Sequence, residues 1–394
     1  MSNSGGNPSR LLTYWQSRTP MDSVYGNSLK PNAVPHPGET VLEYLDFYGW
    51  SQRDLARRTG LTPKTISEIC NAKAPITPPT ALALEKAFQR PAHLWLNLQL
   101  HFDEAEARRR ELVKSPQWDE WARSFPLKEM KRMRFSLPPG RSDADALLNF
   151  FGVSSPESWK SVWSASAVAY RQTRTAHSSE ASIAAWVREV EIVARGLDLA
   201  EFDESRLVSS IEELRRLTRK RADEIMDPIQ KICAEAGVAV VWVPALMSSG
   251  ISGCARWLTG KRALVGLTLR YKTDDQLWFT FFHEIGHILL HRGKRSFVVD
   301  NAEEDLSDQA IDPEMRRYEE EASRFSADTL IPPGALADFL RKGSFTNEAI
   351  HDFAESVGVG PGIVVGRLQF DGFLARHQGN ALKQRINENF VEKK

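Results

Sequence analysis

The chain has 394 residues, of which 42% are hydrophobic, and its 51 basic and 51 acidic side chains leave a net charge of zero. Such a chain can build two or three domains with sizeable cores, and its bulk charge excludes a protein held on nucleic acid by overall basicity, so any nucleic-acid surface must come from local asymmetry. Three scattered cysteines (Cys70, Cys233, Cys254) exclude a disulfide framework, and the polar start and the shortness of the most apolar run, Val238–Met247, argue against a signal peptide and a membrane span, so a reduced cytoplasmic setting is expected.

Residues 1–36, rich in Ser, Asn, Gly and Pro, read as a flexible arm, with Tyr14, Trp15 and Tyr25 able to dock it. At Pro37 the texture changes, and a helix-turn-helix domain is expected over 37–113. Glu39–Tyr48 carries Val41, Leu42 and Leu45 on one face and stops at Gly49. Ser51 and Asp54 frame the start of a second helix, Gln52–Thr59, and Gly60 supplies the positive φ of the turn that follows. Thr62 as N-cap and Pro63 at the first helical position open a third helix, running to about Cys70. Thr77-Pro78 opens a fourth with Ala81, Leu82, Leu84 and Phe88, and a fifth follows Pro91 with Leu94, Trp95 and Leu98. His101–Lys114 then reads as a charged helix leaving the domain.

Ala56 is small where the second and third helices would cross, and Leu61 and Ile66 plug the core. The third helix then offers Lys64, Thr65, Ser67 and Glu68 to a major groove, while Gln52 and Arg53 would meet phosphate oxygens. From Ser51 to Lys73 five basic residues stand against two acidic ones, the local asymmetry that DNA binding requires. The competing reading is a helical bundle with solvated charges. The runs His36-Pro37-Gly38-Glu39, Gly49-Trp50-Ser51-Gln52, Leu61–Ile69, Ala74–Pro78 and Pro91–Leu98 resemble the HigA-type antitoxins, which are Xre/Cro-type DNA-binding proteins, over residues 36 to about 102. The resemblance implies a homodimer on a palindromic operator in double-stranded DNA, with room for a toxin partner. Such antitoxins usually stand alone, whereas this chain continues far beyond the domain.

Residues 114–225 read as a helical linker region. Trp118, Trp121 and Phe125 share a face, Leu147–Gly152 precedes Trp159 and Trp163, and helices are expected at Ile183–Gly196 and Ser209–Met226, with loops at Pro138–Gly140 and Thr173–Ser179. The basic run Arg215, Arg216, Arg219, Lys220 and Arg221 is interspersed with Glu212, Glu213, Asp223 and Glu224, which favours a solvated, ion-paired helix over a nucleic-acid contact.

The last expected domain spans 226–394. Val238–Val243, Ser252–Leu258 and Ala263–Leu269 read as strands of a small sheet whose edge can take an extended peptide. Thr273 and Gln276 form the signature of a capping box, and Phe279, Phe282, Ile285 and Leu289 then repeat at helical spacing. This helix contains His283-Glu284-Ile285-Gly286-His287, the His-Glu-x-x-His pattern. Residues four apart share a face, so His283 and His287 can present two nitrogens to one metal ion while Glu284 addresses a water as base, the pattern of a zinc hydrolase. A packed core helix is the competing reading, and a third ligand decides between them. In Tyr318–Pro332 the inward face is marked by Ala322, Phe325, Ser326, Thr329 and Leu330; Glu319 falls at its edge, and Glu320 and Glu321 point to a solvated acidic face.

Several neighbouring residues stay open. His291 reads as a fourth ligand or, preferably, as a residue behind the ligands or at solvent, because a catalytic zinc keeps an open position. Tyr271, His351 and His377 are candidates to stabilise an oxyanion, and the acidic run Asn301–Glu314 reads as a loop able to cover a cleft. Ala354, Gly358 and Val364 repeat the spacing of Ala56, Gly60 and Ile66, but sparse basic residues favour a packed hairpin over a second DNA-reading motif.

Leu269–Gln276, Trp278-Phe279-Thr280, the metal helix, Glu319–Pro332 and Gly360–Gln369 resemble the ImmA/IrrE metallopeptidases, with weaker similarity from about Leu147 to about residue 375. The resemblance implies Zn2+ held by His283, His287 and Glu319. It departs from the family at Ser323 and Ser326, where an amide or acid and an Ala are usual. Members of that family cleave Xre/Cro-type repressors.

The expected fold is therefore mainly α with a small β-sheet (α+β): a five-helix DNA-binding domain, a central helical region and a C-terminal zincin-like metallopeptidase domain. The expected function is a transcriptional regulator whose gluzincin-like zinc endopeptidase, with Glu284 as base, relieves repression by cutting itself or a partner repressor. The alternatives are a HigA-type antitoxin and autorepressor whose C-terminal half binds a toxin or signal without hydrolysis, and a stress-responsive sensor whose central helices bind a ligand.

Overall fold

The computed structural model describes residues 34–171, 179–247, 249–268, 273–292, 297–300 and 313–386, with the backbone alone at 111–116, 164–171 and 297–300. Tyr271, residues 1–33 of the expected arm, 173–178 of the expected loop and 301–312 of the acidic run lie outside the described residues, and Pro313 and Glu314, expected in that run, begin a helix. The chain divides into two compact units, Met1–Gln117 and Trp118–Lys394.

The first unit is built from α1 (Pro37–Tyr48), α2 (Gln52–Thr59), α3 (Pro63–Cys70), α4 (Pro78–Phe88) and the start of α5 (Ala92–Ala122). Local chemistry sets these boundaries. Ser51 Oγ accepts from Asp54 N at 3.2 Å and the Asp54 carboxylate accepts from Ser51 N at 3.0 Å, a complete capping box. Gly60 takes φ 71° between α2 and α3, a conformation that a Cβ would disfavour. Val41, Leu45, Leu55, Ala56, Ile66, Leu84, Phe88 and Trp95 close the core. The fifth helix and the charged helix expected separately are one continuous helix, α5, and the division between the units falls within it.

The second unit adds α6 (Leu127–Arg132), α7 (Asp143–Phe151), α8 (Pro156–Arg171), α9 (Glu180–Arg195), α10 (Glu204–Arg216) and α11 (Met226–Glu235), then β1 (Val238–Trp242), β2 (Ile251–Thr259) and β3 (Arg262–Leu267). There follow α12 (Asp274–Leu290), β4 (Phe297–Asp300), α13 (Pro313–Leu330), α14 (Pro333–Lys342), α15 (Asn347–Val357) and α16 (Pro361–Phe370). The sheet order is β1-β3-β2-β4, with β1 and β3 parallel and the other pairs antiparallel. The edge strand β4 comes after the metal helix and was not anticipated.

Both faces of the sheet are covered. Ala239, Val241, Cys254 and Leu264 meet Trp186, Val187 and Val190 of α9 on one side. Val238, Val240, Ala255 and Val265 share the other core with Phe281, Phe282 and Ile285 of α12 and with Ile363 and Val364 of α16. A strand buried on both faces reads as a continuous apolar run, which is why Val238–Trp242 shows no alternation. Much of the region expected as a linker over 114–225 is thus part of the second unit: Ala122 to Leu199 supply the core on the α9 side of the sheet, while Leu207, Leu214, Leu217, Ala222 and Ile225 join the core on the α12 side. Ala354 and Val364 are buried in the same unit, as a packed hairpin requires.

The helix expected at Ser209–Met226 is also corrected: α10 ends at Arg216, two short 3-10 turns follow, and α11 begins at Met226. The break is held by buried polar groups. Thr218 Oγ1 donates to Arg215 O at 2.8 Å and accepts from Gly360 N at 3.1 Å. Arg215 is buried rather than solvated; its guanidinium donates to the carbonyl oxygens of Leu330, at 3.2 Å, and Val357, and it pairs with Glu212. Among the described residues no helix is long and apolar enough to cross a membrane.

The capping box expected at Thr273 does not form, because the Thr273 side chain makes no cap bond. A distant segment takes its place. Asp274 N donates to Gln384 O at 3.0 Å, Asp274 Oδ1 accepts from Gln384 N at 2.9 Å, and Lys383 Nζ lies 2.6 Å from Asp275 Oδ2. Burial, reinforced by Asp275, pushes the Asp274 carboxyl up to about 7. Its folded-state pKa lies above its unfolded value, so the folded chain holds the extra proton and stability falls as pH rises from about 4 through about 7. Asp274→Asn keeps the acceptor and removes the charge. It is expected to raise stability at pH 8 by roughly 1–3 kcal/mol and much less at pH 5, measured by denaturant unfolding at the two pH values.

Candidate functional site

The metal helix α12 is buried all round from Phe281 to Ile288, a wider burial than the single face the sequence suggested. His283 and His287, one turn apart, bring their Nε2 atoms to 2.9 Å from each other. Glu319 of α13 reaches the same point, with Oε2 3.1 Å from His283 Nε2 and Oε1 3.5 Å from His287 Nε2. Among the described residues these three are the one group of metal-ligating side chains found together, with their ligand atoms all within 4.8 Å of one another. The approach of the two helices allows it. A Cβ on Gly286 would lie 3.1 Å from the Phe325 ring and 3.3 Å from Ala322 Cα. Ser326 Oγ, on the same face of α13, donates to Phe279 O at 2.8 Å.

Each imidazole is held from behind. His283 Nδ1 lies 3.2 Å from Ser323 Oγ. His287 Nδ1 lies 3.1 Å from His291 Nδ1, and His291 Nε2 lies 2.9 Å from Glu321 Oε2. His291 is buried, not at solvent, and the half-exposed Glu321 is engaged by it; Glu320 is exposed. The sequence placed Ser326 on the inward face, marked Ser323 as a departure from the family and set Glu321 on an acidic face, but pointed to no hydrogen-bond partner for any of them. Ser323 follows Glu319 by four residues and so shares its face, which was the available signal.

Glu284 is wholly buried, and among the described residues neither carboxylate oxygen has a hydrogen-bond partner. It sits against β2, where a Cβ on Gly253 would fall 2.7 Å from Glu284 Oε1. Burial and then the charge of Glu319 push its pKa well above the usual carboxylate value. Burial pulls His287 down to about 4 in spite of the neighbouring Glu319, so its imidazole is neutral and Nε2 can offer a lone pair. Burial would raise the Glu319 carboxyl, but His287 and His283 outweigh it and hold it below the usual range. The neutral imidazole of His287, the imidazole of His283 and an ionised carboxylate, with the buried Glu284 carboxylate alongside, fit a divalent cation such as zinc, which takes three such donors and leaves a position open. His351 and His377 are exposed on α15 and on the segment after α16.

In the first unit Arg53 and Lys64 are exposed, and Gln52, Thr65, Ser67 and Glu68 are half-buried. Lys64 lies 3.8 Å from Glu68, and Thr65 Oγ1 and Ser67 Oγ are partnered within the unit by Thr62 and Asn71. The Arg58 guanidinium stacks 3.9 Å from the Trp50 ring centroid.

Residues 47–95 match the helix-turn-helix family, and residues 267–369 match the IrrE N-terminal-like domain of the M78 peptidases. The chain is 37% identical over 73 residues to the HTH-type transcriptional regulator YddM of Escherichia coli (strain K12), an alignment covering 18% of this chain and 78% of that protein. It is 41% identical over 75 residues to the virulence-associated protein I of Dichelobacter nodosus, covering 18% of this chain and 69% of that protein. A solved addiction module antidote protein of a HigA family from Coxiella burnetii shares 32% identity, covering 22% of this chain and 94% of that one, with a TM-score of 0.21. The chain thus belongs to the HTH-type transcriptional regulators and joins that domain to a C-terminal IrrE N-terminal-like domain of the M78 peptidase family.

Proposed function

We propose that this regulator binds a palindromic operator as a homodimer through its first unit, and that its second unit is a zinc endopeptidase that relieves repression by cutting a partner repressor or the chain itself. The setting is the cytoplasm, where operator DNA is found. The observation that carries the reading is the convergence of His283 Nε2, His287 Nε2 and the Glu319 carboxylate beside the buried carboxylate of Glu284, which has no hydrogen-bond partner among the described residues.

His283, His287 and Glu319 would hold a zinc ion, which would supply a Lewis acid for the scissile carbonyl and lower the pKa of water from about 15.7 toward about 7. The chain supplies the rest. Glu284 takes the water proton on its carboxylate and delivers it to the leaving amine nitrogen. Its burial makes it the stronger base for that transfer. Gly253, without a side chain, leaves Glu284 its room beside the sheet. On the DNA side, Lys64, Thr65, Ser67 and Glu68 address base edges from α3, while Gln52 and Arg53 hold phosphates from the start of α2.

Three outcomes test the reading. Wild-type chain is expected to carry about one zinc by elemental analysis and Glu319→Ala to carry little. Glu284→Gln is expected to keep the zinc and the DNA affinity while repressor cleavage falls by about 10²–10⁴. Unchanged derepression in that variant would favour the antitoxin-like reading, in which the second unit captures a toxin without hydrolysis. Arg53→Ala is expected to weaken binding to all duplexes alike and to lower the salt slope by about one, measured by fluorescence anisotropy across a salt series.

A further inference from the structure

The two histidines that face Glu319 are supported in different ways. Behind His283 stands a neutral hydroxyl, Ser323 Oγ, at 3.2 Å from Nδ1. Behind His287 stands a second imidazole, His291, and behind that a carboxylate, Glu321. The geometry points to His291 and Glu321 as positioning residues for His287, acting together as one relay that fixes the tautomer and orientation of that metal ligand. The inference rests on the zinc reading above.

Hydrogen-bond bookkeeping supports it. His287 directs Nε2 to His283 and Glu319, so a metal there takes that lone pair and leaves the ring proton on Nδ1. Nδ1–H then donates to His291 Nδ1 at 3.1 Å, which leaves the His291 proton on Nε2, where it donates to Glu321 Oε2 at 2.9 Å. Every donor finds an acceptor. The opposite tautomer of His291 would set N–H against N–H. Both ring nitrogens of His291 are thereby directed away from the point where the two Nε2 atoms meet, so it is no fourth ligand. His291 is 3% exposed, and the Tyr318 ring lies on it with centroids 4.5 Å apart, which holds the imidazole plane. The usual arrangement sets a carboxylate directly behind a ligating histidine, where it orients the ring and raises its basicity. Here the carboxylate acts through an intervening imidazole, and Glu321 gains a task that its half-exposed position on α13 conceals.

The test uses the full chain with zinc as the probe. Zinc affinity is read by chelator competition, the ligand field by the visible spectrum of the cobalt-substituted chain, and folding by the melting temperature of the metal-free chain. Glu321→Ala is expected to weaken zinc binding about 10-fold and to shift the cobalt spectrum, with the metal-free melting temperature unchanged. His291→Phe, which keeps the volume, is expected to weaken it about 10–100-fold, and the double variant to be no weaker than His291→Phe alone. Glu321→Gln, which keeps the acceptor and loses the charge, is expected to fall between wild type and Glu321→Ala. Wild-type chain that takes up no zinc would overturn the metal reading and the relay with it. Zinc bound tightly by wild type, lost in Glu319→Ala and unaffected by Glu321→Ala would overturn the relay alone. Additive losses in the double variant would overturn the claim that the two residues act as one.

Discussion

Two helices can share one small cation only if their backbones come close enough for short side chains to meet, and the second unit depends on that approach. Gly286 on α12 and Ala322 on α13 are the residues that permit it. Any larger residue at 286 would meet the Phe325 ring and the Ala322 backbone and push the helices apart. The contact also sets register. Ala322 follows Glu319 by one turn and Ser326 follows by two, so fixing Ala322 against Gly286 and Ser326 Oγ against the Phe279 carbonyl leaves Glu319 level with His283 and His287. The large side chains of α12, Phe281, Phe282 and Ile285, are then directed into the core shared with the sheet.

That core explains why the second unit begins at 118. A four-stranded sheet with α12 on one face would leave Ala239, Val241 and Leu264 in water. Trp186, Val187 and Val190 of α9 remove that surface, at roughly 25 cal/mol for each square ångström buried. Buried polar tethers then hold the periphery. Arg215 joins the C-terminal ends of α13 and α15 through the Leu330 and Val357 carbonyls, where unsatisfied acceptors gather and a cation is favoured.

What was legible in the sequence was local. The helix-turn-helix follows from caps and a glycine within a few residues of one another, and α2 and α3 lie where Ser51, Gly60, Thr62 and Pro63 put them. The pairing of His283 with His287 follows from a four-residue spacing, and the inward placement of Glu319 from the apolar face of its helix. What was not legible depends on partners far along the chain. Asp274 is capped by Gln384, 110 residues away, so the apparent signature of Thr273 and Gln276 was misleading. Arg215 and Glu321 looked like members of solvated charge runs because nothing nearby in sequence reveals a carbonyl or an imidazole waiting across the fold. The strand β4, only four residues long, pairs with β2 from beyond the metal helix.

The charges of the site favour a cation more strongly than the ligand geometry alone suggests. Glu284 and Glu319 are two carboxylates in one buried pocket, and the charge of Glu319 adds to burial in raising the cost of ionising Glu284. The imidazoles hold the Glu319 carboxyl low, and its charge stays beside Glu284. Without a cation the cheapest arrangement is a protonated Glu284, which cannot act as a base. A divalent ion held by His283, His287 and Glu319 would offset the Glu319 charge and lower the cost of an ionised Glu284. On the zinc reading, therefore, the metal does two things: it activates the substrate side of the reaction, and it sets the protonation state of the residue that must receive the proton. The same electrostatics tie metal binding to the stability of the α12–α13 pair, because the ion neutralises charges that folding has taken out of water.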